Sequence, residues 1–285
     1  MVGPSGRLVL LATILLVAGV SIALQLAIGR WQAVTRDRVV LLGESAPARE
    51  GAFHSAMLTG LPSPAARFFQ FALTDGQPLI TGAVATQNAE FFINNTWRPL
   101  TATQHFATDP AGFVWDARID MGPMMPVFVR DSYVNHIGAM QASMLGVYTL
   151  ANQTGKPEMN SGSLQRLLGE AVWLPTMLLP GPNVSWSPVD DDVATATLTD
   201  GPATVSLRFH VDSRGAVTLI EGDRYAEDNG TYALRPWRVA CTDYRLQDGM
   251  KIPGFCEVSW VTGKGVEPYW RGRVTAISYK FTTAG

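Results

Sequence analysis

Cysteine, histidine and charge are all scarce in this chain. Only two cysteines occur, Cys241 and Cys256, and neither stands at the end of the N-terminal apolar run, so a lipid-modified N-terminus is excluded. The four histidines, His54, His105, His136 and His210, fall in no metal-ligand spacing, and no Cys-x-x-Cys accompanies them. No Gly-x-Ser-x-Gly elbow, Gly-rich phosphate loop or His-Glu-x-x-His helix is present. The sequence therefore offers no ground for a catalytic residue, a metal or a cofactor, and none is expected. Charged residues make up only 16% of the chain and form no Lys/Arg cluster, so the electrostatic footprint of phosphate-backbone binding is missing and nucleic acid is not expected as a partner.

What is abundant is apolar. From Leu8 to Ile28 the chain runs 21 residues without a charge, which at about 1.5 Å per residue matches the hydrocarbon thickness of a bilayer. Residues 1–29 are read as a transmembrane anchor, although Ser21-Ile22-Ala23 resembles the small-residue cleavage site of a signal peptide. Residues 30–61 follow as tether and linker, and 62–285 as one domain. Met1 to Gly43 carries a net charge of +3, which leaves −5 on the remainder of a chain whose net charge is −2. Three arginines after the apolar run against Arg7 before it place the domain in the cytoplasm by the positive-inside rule.

The cysteines argue for the opposite side. Gln247-Asp248-Gly249-Met250 carries the signal of a two-residue hairpin, in which paired positions sum to 497. Cys241 and Cys256 also sum to 497, so they face each other across the hairpin and are candidates for a disulfide, hence for an oxidising, extracytoplasmic compartment.

Along the domain, period-two alternation dominates. Phe113, Trp115, Ala117, Ile119 and Met121 share one strand face, as do Val205, Leu207, Phe209 and Val211, with polar residues between them. Similar segments with turn signals between them predict strands at 79–87, 90–94, 98–106, 125–134, 193–199, 215–225, 232–242, 251–262 and 268–281, and one further strand within 137–150. Helices are expected at 62–73 and at 163–174, the second with Ser163 as N-cap and a stripe of Leu164, Leu167, Leu168, Ala171 and Val172. Asp190-Asp191-Asp192 reads as a solvated turn, Glu170 and Arg166 as an i, i+4 pair, and Trp270 as a core residue.

Three motifs form a familiar set: Ala171-Val172-Trp173-Leu174-Pro175-Thr176 with Leu178-Leu179-Pro180, Gly112-Phe113-Val114-Trp115-Asp116-Ala117, and Pro268-Tyr269-Trp270-Arg271-Gly272. Together they resemble a bacterial family known only as a domain of unknown function, usually carried behind membrane helices, and the resemblance covers roughly 64–281. It brings no established activity. The order of elements also looks like the half-barrel of periplasmic lipoprotein carriers and mycobacterial lipid-binding lipoproteins. The expected fold is thus mainly β (α+β): a transmembrane helix, then a large curved antiparallel sheet, half-barrel-like, with a few packing helices. That likeness implies an apolar ligand such as a lipid or acyl chain, with Trp173, Leu174, Met177, Leu178 and Leu179 as ligand-binding candidates. A scaffold domain of the cell envelope with a packed core, and a hydrolase using Asp131, Glu170 or the Asp190 to Asp192 cluster, stand as alternatives.

Overall fold

The computed structural model describes residues 4–43, 51–228 and 230–282, with side chains from Leu8 onward. It begins with a single helix, α1 (Pro4–Gly43), followed by a short 3-10 turn (Ser55–Leu58) and α2 (Ser63–Ala72). Six strands come next: β1 (Ile80–Ile93), β2 (Thr96–Thr108), β3 (Ala111–Asp120), β4 (Pro126–Val134), β5 (Ile137–Met144) and β6 (Tyr148–Thr154). After α3 (Pro157–Glu170) and two 3-10 turns (Ala171–Trp173 and Pro175–Leu178), the chain forms β7 (Val184–Pro188), β8 (Val193–Asp200), β9 (Ala203–Val211) and β10 (Val217–Asp228). It closes with β11 (Thr231–Gln247), β12 (Met250–Thr262) and β13 (Gly265–Phe281).

All strands join one antiparallel sheet of 13 strands, in the order β6-β5-β4-β3-β2-β1-β13-β12-β11-β10-β9-β8-β7. The chain lays down one flank, crosses through α3, and returns strand by strand until β13 closes on β1. A twisted sheet this wide cannot stay flat. Its flanks roll toward each other until Tyr232 of β11 donates a hydrogen bond to Gln153 of β6 at 3.4 Å, while Tyr133 and His136 both bond Asp200 Oδ2, at 2.8 and 2.6 Å. The result is a half-barrel. Its hollow holds α2, α3 and the 3-10 turns, and Phe68, Phe69, Leu164, Leu167 and Leu168 of the two helices are fully buried against the inward rows of the strands.

The hairpin register follows from the turn alone: Gln247 pairs with Met250 and Cys241 with Cys256, as the Asp248-Gly249 turn requires. Other boundaries moved. The expected strands at 79–87 and 90–94 are one strand, β1, and 137–150 holds a hairpin rather than one strand, because Leu145 and Gly146 adopt positive φ and turn the chain. Strand β7 lay outside every expectation. Helix α3 starts at Pro157, not at Ser163, since proline at the first helical position is already set for helical φ. Ser163 is instead buried within the helix.

The largest departure concerns residues 30–61, expected as tether and linker. Residues 30–43 continue α1 without a break, Leu58 is buried, and most of the expected tether, 44–48, lies outside the described residues. The reason is a stripe of Trp31, Thr35, Arg38 and Leu42, one face of a helix, that meets the convex side of β2 to β5. Trp31 Nε1 and Thr35 Oγ1 donate to Asp116 at 2.8 and 3.1 Å. Arg130, only 2% exposed, donates to the Trp31 carbonyl, to Thr35 and to Gln141, with its guanidinium 4.1 Å from the Trp31 ring centroid. Burial there pulls the Arg130 guanidinium down to about 10. Leu42 completes the seam in a small cluster with Ala107, Val114 and Val134, so the outer face of β3 is covered at Val114 and Asp116, while Arg118 and Asp120 stay exposed.

Gly112 shows how close that seam is. A Cβ at this position would stand 2.6 Å from Leu42 Cδ1 and 2.7 Å from the Tyr133 carbonyl oxygen. We expect Gly112→Val to cost about 1–3 kcal/mol through overpacking and to raise hydrogen exchange selectively in residues 30–43. Unchanged exchange there would show that the helix does not depend on this contact.

Candidate functional site

Between α3 and the inward face of the half-barrel lies a cavity of about 570 Å³, within the roughly 300–1,000 Å³ range of small-molecule sites. Its walls are apolar and strongly aromatic. Phe91 and Ile93 come from β1, Trp115 and Ile119 from β3, Val127 and Val129 from β4, Met140 and Ala142 from β5, and Leu150 from β6. Trp237, Val258, Trp260, Tyr269 and Trp270 face them from β11 to β13. Val172 and Trp173 form the floor, where Trp173 Nε1 donates to the Pro253 carbonyl at 3.1 Å and Tyr279 Oη donates to the Trp173 carbonyl at 2.8 Å.

Two polar elements interrupt this lining: Arg224 of β10, which donates to the Gly162 carbonyl at 3.0 Å and lies over the Trp237 ring, and a connected system on α3 and the facing strands. Arg166 on α3 donates from Nη1 to Asp131 Oδ2 at 2.7 Å and from Nε to Glu170 Oε1 at 2.8 Å. Glu170 Oε2 accepts from Gln104 at 2.7 Å, Gln104 Oε1 accepts from Gln87 at 3.0 Å, and Gln87 Oε1 accepts from Trp115 Nε1 at 2.8 Å. The guanidinium also lies over the rings of Phe113 and Trp115, 4.9 and 5.0 Å from their centroids. Burial alone would make Arg166 easier to deprotonate, but Glu170 and Asp131 outweigh it and hold the guanidinium firmly charged. The chain of bonds stops at Asp131, whose Oδ1 is buried beside the cavity with no hydrogen-bond partner among the described residues. An apolar hollow with one unpaired acceptor suits an amphiphile with a hydroxyl or amide donor on an apolar body.

Of the ligand-binding candidates from the sequence, Trp173 lines this cavity. Leu174 and Leu178 are packed in the core, and Met177 and Leu179 border a separate cleft of about 50 Å³. Gln87, Gln104 and Asp131 were not among those candidates. Their signal was present, because each occupies an inward position of an alternating strand where an apolar residue belongs. Trp270 is buried and lines the cavity, while Arg271 faces outward, bonded to Glu90 at 2.7 Å.

Cys241 and Cys256 are both buried, with their sulfurs 3.2 Å apart, and burial pushes the Cys256 thiol well up. Asp190 Oδ1 accepts the Asp192 and Val193 amides, and Asp192 pairs with Arg67 at 2.9 Å, the geometry of a self-capped turn. Among the described residues no cluster of three or more His, Cys, Asp or Glu side chains is arranged to hold a metal ion.

A curled antiparallel sheet with helices in its hollow and a ligand-sized apolar cavity defines a half-barrel protein with a candidate binding site. The chain belongs to DUF6920, a family of unknown function, which matches residues 59–279. None of the curated proteins matches it. Among solved structures it is similar to a DUF1329 family protein from Desulfovibrio piger, at 11% identity and a TM-score of 0.41, covering 78% of this chain and 92% of that one. It is also similar to a LolA superfamily protein from Nitrosomonas europaea, at 7% identity and a TM-score of 0.37 over 78% and 94% of the two chains. A third, a β-barrel-like DUF1849 protein from Brucella abortus, gives 7% identity and a TM-score of 0.26 over 71% and 99%.

Proposed function

We propose that the chain is a single-pass membrane protein whose half-barrel lies outside the cytoplasm and binds an apolar ligand, such as a lipid or acyl chain, without catalysis. The observation that carries this reading is the cavity of about 570 Å³, walled by tryptophans and aliphatics, with the Arg166 ion system and Arg224 as its charged lining. A scaffold domain would be expected to fill its interior. A hydrolase would be expected to keep a pair of carboxylates available for proton transfer, whereas Glu170 is held through both oxygens, by Arg166 and Gln104, and Asp131 is paired with the same Arg166. Helix α1 is long and apolar enough to cross a membrane, which supports the anchor. The facing cysteines support the oxidising side.

The test is native mass spectrometry of the full chain, purified from membranes and released from detergent micelles in the gas phase. A stoichiometric bound lipid is expected, and it should be lost in a variant with Val129→Trp and Val258→Trp, which fills the cavity. The same spectra should show a chain two protons lighter than the dithiol form, reporting a Cys241–Cys256 disulfide. A protein without ligand, indistinguishable from the filled variant, would overturn the binding reading, and free thiols would overturn the placement outside the cytoplasm.

A further inference from the structure

Helix α1 and the cavity share an end of the half-barrel. The antiparallel order points six turns the same way, and five of them, those between β1 and β2, β3 and β4, β5 and β6, β10 and β11, and β12 and β13, form the rim that flanks the cavity, while the sixth, between β8 and β9, is curled over beside His136 of the β4–β5 turn. The cavity lies in that half of the hollow, and its partly exposed walls, Ile93, Leu150, Trp260 and Tyr269, stand beside those turns. Leu42 meets the convex face at the far end, beside Gly112 and Tyr133, and Trp31 and Thr35 meet its middle. At the rim itself a Cβ on Gly146, in the turn between β5 and β6, would stand 3.2 Å from the backbone of Ala27. The helix therefore leaves the domain at the rim where the cavity opens, and it does so at the last residues of the charge-free stretch.

The rim is also where the apolar surface is. Outside α1, the described residues include eleven exposed large hydrophobic side chains, and seven of them flank four of these turns. Met124 is 89% exposed, Tyr148 67% and Val147 64%, with Phe92 and Val266 on neighbouring turns. Exposed apolar residues at the tips of neighbouring turns beside a cavity mouth form a patch of the kind that marks an interaction site.

We propose that this rim rests on the membrane that α1 crosses, with Met124, Val147, Tyr148 and Val266 in the interfacial layer, so that the cavity opens directly onto the bilayer and fills from it rather than from solution. The occupant is a lipid surface, argued from the continuity of the rim with the anchor: Val147 and Tyr148 adjoin the turn that touches α1 at Ala27. Tyrosine and aliphatic side chains favour that depth. The proposal rests on the reading of α1 as a membrane span, and as regards filling, on the cavity's binding a lipid.

The experiment uses the full chain in phosphatidylcholine–phosphatidylglycerol vesicles, with an environment-sensitive fluorophore on Val147→Cys, Met124→Cys or, at the opposite end, Leu246→Cys. Labelling under native conditions spares the buried Cys241 and Cys256. Nitroxide-bearing lipid is expected to quench the labels at 147 and 124 strongly and the label at 246 not at all. A second variant, Val147→Asp with Met124→Asp, is expected to load lipid from vesicles about tenfold more slowly, the equivalent of about 1.4 kcal/mol, while loading from micelles stays unchanged. Equal quenching at all three positions, or none at 147 and 124, overturns the docked rim whether or not lipid is bound. Quenched labels on a chain that carries no lipid keep the docked rim, and overturn the filling step together with the ligand reading.

Discussion

Replacing Arg166 by methionine should destabilise the protein by about 3–5 kcal/mol, because it strands two carboxylates inside an apolar cavity. Arg166 is the only cation in contact with Asp131 and Glu170 among the ion pairs of the described residues, at 2.7 and 2.8 Å, and its own charge is fixed by them. For a domain of this size the loss corresponds to roughly 6–20 °C in the midpoint of thermal unfolding, measured on the full chain in detergent. Adding Asp131→Leu and Glu170→Met to Arg166→Met should recover most of it, since a buried ion system replaced as a whole by apolar groups is often neutral. A drop below about 1 kcal/mol for Arg166→Met alone would mean that water reaches the carboxylates. The cavity would then be wetter than its lining suggests.

A chain that begins at Glu44 is expected to be far less stable than one that begins near Ala27, although both lack most of the apolar span. The segment from Ala27 to Gly43 covers Val114, Val134 and Arg130, and it supplies both hydrogen bonds to Asp116 from Trp31 and Thr35. Uncovering an arginine that is 2% exposed, along with the apolar seam around Leu42, should cost on the order of 5 kcal/mol. Guanidinium unfolding of the two chains reads the difference as a shift in midpoint. Coincident midpoints would show that α1 rests on the sheet without stabilising it, and would detach the anchor's direction from the cavity's.

The second prediction separates what was legible from what was not. The stripe Trp31, Thr35, Arg38, Leu42 is visible in the sequence at helical spacing, yet its mixed chemistry reads as a tether until Asp116 and Arg130 are seen opposite it. Those two sit on outward positions of β3 and β4, in rows that otherwise look solvent-facing. Only the sheet can show that a helix lies over them. Pro157 likewise marked the start of α3, but the apolar stripe begins at Leu164, because the first half of the helix faces the edge of the hollow rather than its core.

The sequence by itself determined the features that depend on neighbours in the chain. The charge-free run marks the apolar part of α1, period-two alternation sets the strands, and Asp248-Gly249 sets the pairing of Cys241 with Cys256, since a two-residue turn leaves no other register. The tertiary structure alone decided the cavity and the ion system in it. Gln87, Gln104, Trp115, Asp131 and Arg166 come from four strands and a helix spread over 80 positions, and nothing local brings them together. Gln104, Trp115 and Asp131 are cross-strand partners on β2, β3 and β4, and Arg166 joins them only because the curl of 13 twisted strands lays α3 into their hollow. That curvature is a sum over every pair in the sheet.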